Sequence, residues 1–302
     1  YVLSLDVEHY FGNIQKMRKH LETDRQILWV SYYRNLYNAT HPSEINSPVS
    51  LSRNLLAWNQ PGTNGLILPV NPSASFLSIL FANELWFTLG DMTMAEHCAM
   101  LSMIFSPRNS GSRMIKRLAE INLVNGDDEA ALKYLRILDK TLLHKSWAEK
   151  RIPGQQTPRV KEWLEKKRRD IPTQDHLRSG NDAVTSLRNL VASNAGNLRA
   201  YEYVLCYHLL SKDLRSFVED YVPGKVSSSI FAEALLIHLA RQGNIRAEEL
   251  IKYQIPVKIA KEFADYTRLY EAKDTSLKEK YGKTYWFYYH FATTEPGKES
   301  KP

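Results

Sequence analysis

The chain has 302 residues, of which 43% are hydrophobic, 24% charged and 11% aromatic, and its formal net charge is +7. These proportions are typical of a globular protein and exclude disordered, collagen-like and disulfide-scaffold chains. No uninterrupted apolar run approaches the roughly 18 residues that a membrane-spanning helix needs, so the sequence predicts no span within this chain.

Helical periodicity dominates, and alternating strand patterns are scarce. The first half of the sequence predicts two helices followed by a proline-rich stretch with one short helix, and then a helical pair broken at Gly90-Asp91. In chain order, these helices cover residues 7–21, 26–37, 49–58, 76–89 and 93–105.

A second helical pair follows, with apolar residues at helical spacing over 115–123 and again over 130–138. Gly126 suits the left-handed conformation that ends a helix, and Asp127 or Asp128 can cap the next one. Gly90 and Gly126 lie 36 residues apart, which is the period of a helical solenoid.

Weaker helical pairs follow at 200–221 and 230–253, and a helix is expected from Pro256 to about Ala272. The chain then carries seven aromatic residues between 281 and 291. The pattern favours a last helix that closes the core, and a partner surface is the alternative because large exposed aromatic patches have functions.

The fold class predicted is therefore all-α, an α-α superhelix of helical hairpins. We divide the chain into an N-terminal repeat block (1–147), a basic proline-containing linker (148–180) and a C-terminal repeat block (181–302). Between Lys140 and Asp170, ten Lys and Arg residues face four acids. A solvated linker is the favoured interpretation, and docking on anionic lipid or an acidic partner is the alternative.

The two hairpins at 76–105 and 112–138 resemble the tetratricopeptide repeat, which places an aromatic, Gly-Asp, alanine and proline residue at fixed positions. Counted from Phe76, these positions hold Trp86, Gly90, Asp91, Ala95 and Pro107. Counted from Ser112, the second copy has Leu118, Ala119, Gly126, Asp127 and Ala131 but departs from the pattern at Asn122 and Leu143.

Three stretches, at 116–126, 131–136 and 201–203, also resemble an uncharacterised family of membrane proteins from gut anaerobes. Members of that family carry an N-terminal multi-span region before a soluble repeat-like region. The resemblance implies a soluble domain of a membrane-anchored bacterial protein, and it implies no activity.

Motifs for catalysis are missing from the sequence. The glycine spacing excludes nucleotide-binding and nucleophile-elbow motifs, and no His-Glu dipeptide begins a zinc motif. We therefore expect a non-enzyme with no cofactor, no metal and no catalytic residue, and we do not favour nucleic-acid binding. Cys98 and Cys206 are read as buried free thiols rather than a disulfide.

The favoured function is a non-catalytic protein–protein interaction or scaffold module. The resemblance to tetratricopeptide repeats implies a groove along the first helix of each pair, with Arg113 and Lys116 holding an acidic or carboxylate-ended protein or peptide. The groove residues it implies are Glu84, Phe87, Arg113, Lys116, Glu120, Arg199 and Glu202. Solvated charges, with Lys116 and Glu120 paired along one helix, are the alternative.

A second hypothesis makes the chain an accessory or regulatory domain of a membrane enzyme or transporter encoded upstream on the same chain. In that case the partner is the transmembrane region itself, and the basic segment lies near it or near anionic lipid. The chain begins at Tyr1 rather than Met, which favours a fragment of a longer protein.

Overall fold

A computed structural model describes residues 76–105, 111–173 and 183–291. Throughout these residues the regular structure is helical and no strand occurs, which confirms the all-α prediction. The helices are α1 (Phe76–Leu89), α2 (Met92–Phe105), α3 (Gly111–Asn125), α4 (Asp128–Asp139), α5 (Lys145–Glu149), α6 (Pro158–Arg168), α7 (Ala183–Ser193), α8 (Leu198–Leu210), α9 (Leu214–Asp220), α10 (Ser229–Arg241), α11 (Ala247–Lys252), α12 (Val257–Glu271), α13 (Leu277–Tyr281) and α14 (Tyr285–Phe291).

The described residues divide into two compact units, one ending at Ala200 and the other beginning at Tyr201. The helices predicted at 7–21, 26–37 and 49–58 lie outside the described residues. No helix within the described ranges is long and apolar enough to cross a bilayer.

In the first unit, consecutive helices pack as hairpins, with α1 against α2 and α3 against α4. Met114 and Leu118 of α3 pack with Ala99 of α2 in a fully buried cluster. The small residues Ala119 and Ala131, noted in the sequence as repeat positions, are both 0% exposed. Their size lets neighbouring helices approach closely.

The turns of both hairpins have one geometry. Gly90 and Gly126 adopt φ of +93° and +82°, and the backbone N–H of the following aspartate donates to the carbonyl five residues back. Asp91 and Asp127 then accept, through Oδ1, the backbone N–H three residues ahead, each at 2.9 Å. This confirms Gly126 as the left-handed terminator of its helix and Asp127 as the cap of α4.

In the second unit, two turns of this kind have lysine in place of glycine. Lys212 takes φ of 57°, and Asp213 caps α9 by accepting the N–H of Ser216 at 3.0 Å. Lys273 takes φ of 53° at the end of α12. The same turn geometry therefore also forms at positions where the sequence has no glycine.

The C-terminal aromatic residues of the second unit build its core. Tyr285, Trp286 and Tyr288 are buried against α10, and the hydroxyls of Tyr285 and Tyr288 donate to the carbonyls of Leu209 and Leu210 at 2.8 and 2.7 Å. These hydroxyls provide hydrogen-bond donors for the last carbonyls of α8, which have no partner within the helix. For these three residues the core interpretation is confirmed.

Candidate functional site

Helix α6 carries the basic run of the sequence and packs on α3. The Arg168 guanidinium donates from Nε to the carbonyl of Val124 at 3.0 Å and from Nη2 to that of Leu123 at 2.8 Å. The Lys167 Nζ donates to the carbonyl of Phe87 at 3.5 Å. Two residues of the basic run therefore cap the C-terminal ends of α1 and α3, where carbonyls without helical partners attract cations.

This arrangement differs from the expectation of a solvated linker. The domain boundaries given above remain a prediction, but residues 158–168 form a packed helix in which Val160 and Leu164 are buried and Lys167 is half-buried. The other basic side chains of this helix are exposed, although Arg168 still reaches the end of α3. The physical reason is that two helix ends lie beside α6 and supply backbone acceptors for its charges.

The remaining carbonyls at the end of α1 are bound by residues near 197. Asn197 donates to the carbonyls of Leu89 and Asp170 at 2.7 and 3.0 Å, and Arg199 donates to that of Thr88 at 3.2 Å. The backbone of Asp170 approaches so closely that a Cβ on Gly90 would lie 2.2 Å from its carbonyl oxygen. The loop after α6 is therefore fixed to the end of α1.

Beside these caps, α1 and α3 exchange ion pairs. Glu84 of α1 binds Arg117 through a short contact and Arg113 at 3.5 Å, and Arg117 also binds Glu120 at 3.0 Å. Glu84 is only 7% exposed and Arg113 only 8%. Glu120, which the alternative interpretation pairs with Lys116, forms an ion pair with Arg117 and also acts to raise the pKa of Lys116 against the lowering by burial.

The Phe87 ring lies at the centre of this region. The Arg117 guanidinium lies 3.8 Å from the ring centre, Lys167 Nζ lies 4.7 Å from it, and the Trp163 ring of α6 stacks at 6.3 Å. Cations are attracted to the negative face of an aromatic ring, most strongly where water is excluded. Two cations and the half-buried indole of Trp163 therefore pack around the buried Phe87 ring.

A second aromatic ring, Trp147 on α5, collects two further cations. Lys116 Nζ lies 5.0 Å from its centre and the Arg151 guanidinium lies 4.1 Å from it, with Arg151 Nη1 donating to the Trp147 carbonyl at 3.3 Å. Arg151 also lies 5.9 Å from the centre of Trp163, so the two aromatic groups adjoin.

We call this set of half-buried side chains and the ring beneath them the cation–aromatic surface. It consists of Phe87, Lys116, Arg117, Trp147, Arg151, Trp163 and Lys167.

The electrostatics of the surface follow from burial and from an excess of cations. Burial, together with the neighbouring Arg199 and Arg117, lowers the pKa of Lys167 to about 8. Burial also lowers the pKa of Lys116 and of Arg151, and the nearby Glu120 carboxylate opposes part of both shifts. All three pKa values are lowered because it costs free energy to remove a positive charge from water.

Sequence reasoning found part of this site. Glu84, Phe87, Arg113, Lys116 and Glu120 do come together on α1 and α3, but the first three are buried and support the surface rather than line an open groove.

The other two predicted residues lie elsewhere: Arg199 binds the end of α1, and Glu202 is 2% exposed in the second unit, where it helps to raise the pKa of Cys206. The residues missed were Arg117, Trp147, Arg151, Trp163 and Lys167. The helical spacing of Trp163 and Lys167, four apart, was the available signal.

Within the described residues, no group of three or more His, Cys, Asp and Glu side chains is placed to hold a metal ion. Cys98 and Cys206 are buried free thiols, as predicted, and burial raises the pKa of Cys98 to about 12. A thiol of that kind is a poor nucleophile at neutral pH.

Comparison with known proteins gives one match. No curated protein and no solved structure matches the chain. The model of DUF6057, a family of unknown function, matches residues 1–292. The match covers nearly the whole chain, and the protein therefore belongs to this family of unknown function.

Proposed function

We propose that the chain is a non-catalytic interaction module that binds an acidic protein or peptide at the cation–aromatic surface. One observation carries the proposal: among the described residues of α1 and α3, the carboxylates beside the five cations there, which include the supporting Arg113, are Glu84 and Glu120, and both are paired with Arg113 or Arg117. An acidic segment would complement this excess of positive charge.

The aromatic groups support the same function. Trp147 and Trp163 are half-buried, so each presents part of its ring to solvent while its base is fixed by packing. Tryptophan and arginine are enriched among the residues that dominate binding energy in protein interfaces, and tryptophan buries a large area when it binds.

The proposal includes a scaffold of tetratricopeptide-like hairpins. Its support is the 36-residue spacing of Gly90 and Gly126 together with the shared turn and capping geometry at both glycines. In such a scaffold, the interaction surface is built from neighbouring repeats rather than from a single cleft.

The test uses a fluorescein-labelled hexaglutamate peptide and fluorescence anisotropy. We expect the intact chain to bind this peptide at low ionic strength and to release it as salt is raised, since screening shortens the Debye length to about 8 Å at 0.15 M. The variant Lys116→Glu/Arg151→Glu should lose at least tenfold in affinity.

The matched control is Lys133→Glu/Arg136→Glu, which reverses two exposed charges on α4 of the same unit. It changes the net charge equally, so it should bind within about twofold of wild type if the surface is specific. Equal loss in both variants, equal binding of a hexalysine peptide, or no binding at low salt would overturn the proposal.

The accessory-domain hypothesis is tested with the same two variants. In a sedimentation assay, anionic vesicles replace the peptide. Vesicle binding that Lys116→Glu/Arg151→Glu abolishes, without any peptide binding, would assign the surface to a membrane and refute the acidic-protein proposal.

A further inference from the structure

We propose that Leu142 and Leu143, in the turn between α4 and α5, form an apolar contact for the partner beside the cation–aromatic surface. The inference rests on the proposed function and narrows the class of its partner, since the acidic segment must then carry large apolar side chains among its carboxylates. A segment of acidic residues alone would leave this turn in water.

The turn and the end of α4 hold three large apolar side chains in solvent. Leu142 is fully exposed, at 102% of its reference area, Leu143 is 76% exposed, and Ile137 in the last turn of α4 is 50% exposed. Isolated apolar residues are ordinary on protein surfaces, but a group of them marks an interaction site. Burial of such side chains against a partner is favourable in proportion to the apolar area removed from water.

Hydrogen bonds fix the backbone of this turn. The N–H and the hydroxyl of Thr141 both donate to the carbonyl of Leu138, at 2.9 and 2.7 Å, and the N–H of His144 donates to the Thr141 hydroxyl at 3.2 Å. The N–H of Lys145 then donates to the Thr141 carbonyl at 3.1 Å. Because this backbone is already ordered, the protein loses little free energy in ordering a loop when a partner binds.

The turn adjoins the cation–aromatic surface. Leu143 precedes Trp147 by four residues, so their Cα atoms are at most about 15 Å apart. His144, the residue after Leu143, is buried, and its pKa is lowered by burial and by the nearby charge of Lys116. An extended segment of six residues spans up to about 20 Å and can therefore contact both the turn and the surface.

The charges around the two leucines favour an acidic partner. Lys140 and Lys145 flank the leucines in sequence, and both are exposed. The nearest acids in sequence are Asp139 and Glu149, and Glu149 already pairs with Lys145 at 3.9 Å. Carboxylates next to the apolar side chains of the partner would therefore meet positive charge on both sides of the turn.

The Glu120 carboxylate explains why an apolar contact is needed in addition. Glu120 is paired with Arg117 at 3.0 Å, and it also opposes part of the lowering of the pKa of Lys116 and of Arg151 by burial. It thus neutralises part of the positive charge of the surface. Since electrostatic complementarity contributes more to orientation and association rate than to affinity, the apolar contact supplies affinity that the charges do not.

The experiment measures the binding of two fluorescein-labelled octapeptides to the intact chain by fluorescence anisotropy. Both peptides contain six glutamates, and the two central residues are leucines in one and serines in the other. We expect the leucine peptide to bind wild type at least tenfold more tightly at low ionic strength. This advantage should persist at every salt concentration at which both peptides bind, because salt screens charges and not apolar contacts.

A double variant then locates the contact. Leu142→Ser/Leu143→Ser should bring the two affinities within about twofold of each other and leave the affinity for the serine peptide unchanged. Both side chains are exposed, so this variant should melt within about 2 °C of wild type. The matched control is Ile251→Ser/Val257→Ser, which removes two side chains that are 77% and 66% exposed in the second unit. It should retain the tenfold advantage.

A measurement on wild type alone protects the test against a misfolded variant. Burial of apolar surface makes the heat-capacity change of binding negative. Titration calorimetry at several temperatures should therefore give a more negative heat-capacity change for the leucine peptide than for the serine peptide. Equal heat-capacity changes, equal affinities of wild type for the two peptides, or a retained advantage in Leu142→Ser/Leu143→Ser would overturn the inference.

Further outcomes separate lipid from protein and this inference from the proposed function. Binding of anionic vesicles that Leu142→Ser/Leu143→Ser abolishes, with no advantage of the leucine peptide, would assign the turn to a lipid surface and overturn the inference. Hexaglutamate binding without a leucine advantage refutes only this inference. No binding of hexaglutamate by wild type refutes the proposed function, and a leucine advantage in that case supports the apolar contact alone.

Discussion

Replacing Arg168 with alanine should destabilise the first unit, because Arg168 caps the end of α3. Its two donors reach the carbonyls of Leu123 and Val124 at 2.8 and 3.0 Å. Hydrogen bonds from charged donors contribute about 1.5–3 kcal/mol each when buried. The Arg168 side chain is exposed, so we take the lower range of a cation at a helix end, up to about 1 kcal/mol per bond.

The expected loss is therefore about 1–2 kcal/mol in the free energy of unfolding. For a unit of 150–250 residues, each kcal/mol lowers the transition temperature by about 2–4 °C, which predicts a decrease of about 2–8 °C. Differential scanning calorimetry measures this decrease, and amide hydrogen exchange should show faster exchange in the last turn of α3.

Lys166→Ala is the matched control, because Lys166 lies on the same helix α6, is exposed, and its side chain makes no hydrogen bond to the described residues. It should melt within about 1 °C of wild type, as exposed charges contribute little. Equal melting temperatures for Arg168→Ala and Lys166→Ala would refute the capping argument and favour the interpretation of this segment as a solvated linker.

Three other substitutions test the turns and the second unit by thermal unfolding. Gly90→Ala should be more destabilising than Gly126→Ala: both have positive φ and lose about 1 kcal/mol, but only at Gly90 would the new Cβ meet backbone, at 2.2 Å. Equal losses would contradict the close approach. Lys273→Gly should stabilise by up to about 1 kcal/mol, because glycine adopts its φ of 53° without strain; a lower melting temperature would contradict this.

In the same series, Glu233→Gln should abolish a pH dependence of stability. Burial raises the pKa of Glu233 to about 7 from an ordinary value of 4.5, so its favourable contribution is complete below pH 4.5 and is lost as the pH rises through 7. The variant should therefore gain stability relative to wild type at pH 8 and not at pH 4. A pH-independent difference would contradict the assignment.

The sequence predicted local structure well where the signal was local. The bounds of the helix at 76–89 agree with α1, and the glycine and aspartate of each hairpin turn act as predicted. The break between the two helices of the pair at 200–221 was also predicted, but the positive φ of Lys212 and of Lys273 was visible only in the structure, because lysine gives no sign that it adopts this conformation. The cost of that conformation, about 1 kcal/mol, is small enough for packing to override.

The site was harder to predict because its parts come from separate segments. Charge density along 140–170 was plain in the sequence, but it did not distinguish Lys166, which is exposed, from Lys167, which reaches the end of α1. Successive residues on a helix point about 100° apart, and only the packing of α6 decides which side meets the helix ends. Likewise, nothing local in the sequence places Lys116 beside Arg151.

The caps and the surface should be energetically coupled through α6. Arg168 and Lys167 fix the last turn of this helix on α1 and α3, and Trp163 lies one turn earlier, stacked on Phe87 and next to Arg151. Loosening the cap lets α6 shift, and the position of Trp163 then becomes less defined.

Arg168→Ala should therefore weaken hexaglutamate binding by about two- to fivefold, measured at least 15 °C below the onset of unfolding, although Arg168 is not part of the surface. Because ligand and cap both favour the docked α6, the peptide should in return stabilise wild type more than the variant, as linkage requires. Lys166→Ala removes the same charge from the same helix and serves as the electrostatic control. Equal affinities of the two variants for the peptide would show that α6 holds its position without the cap and that stability and binding are independent.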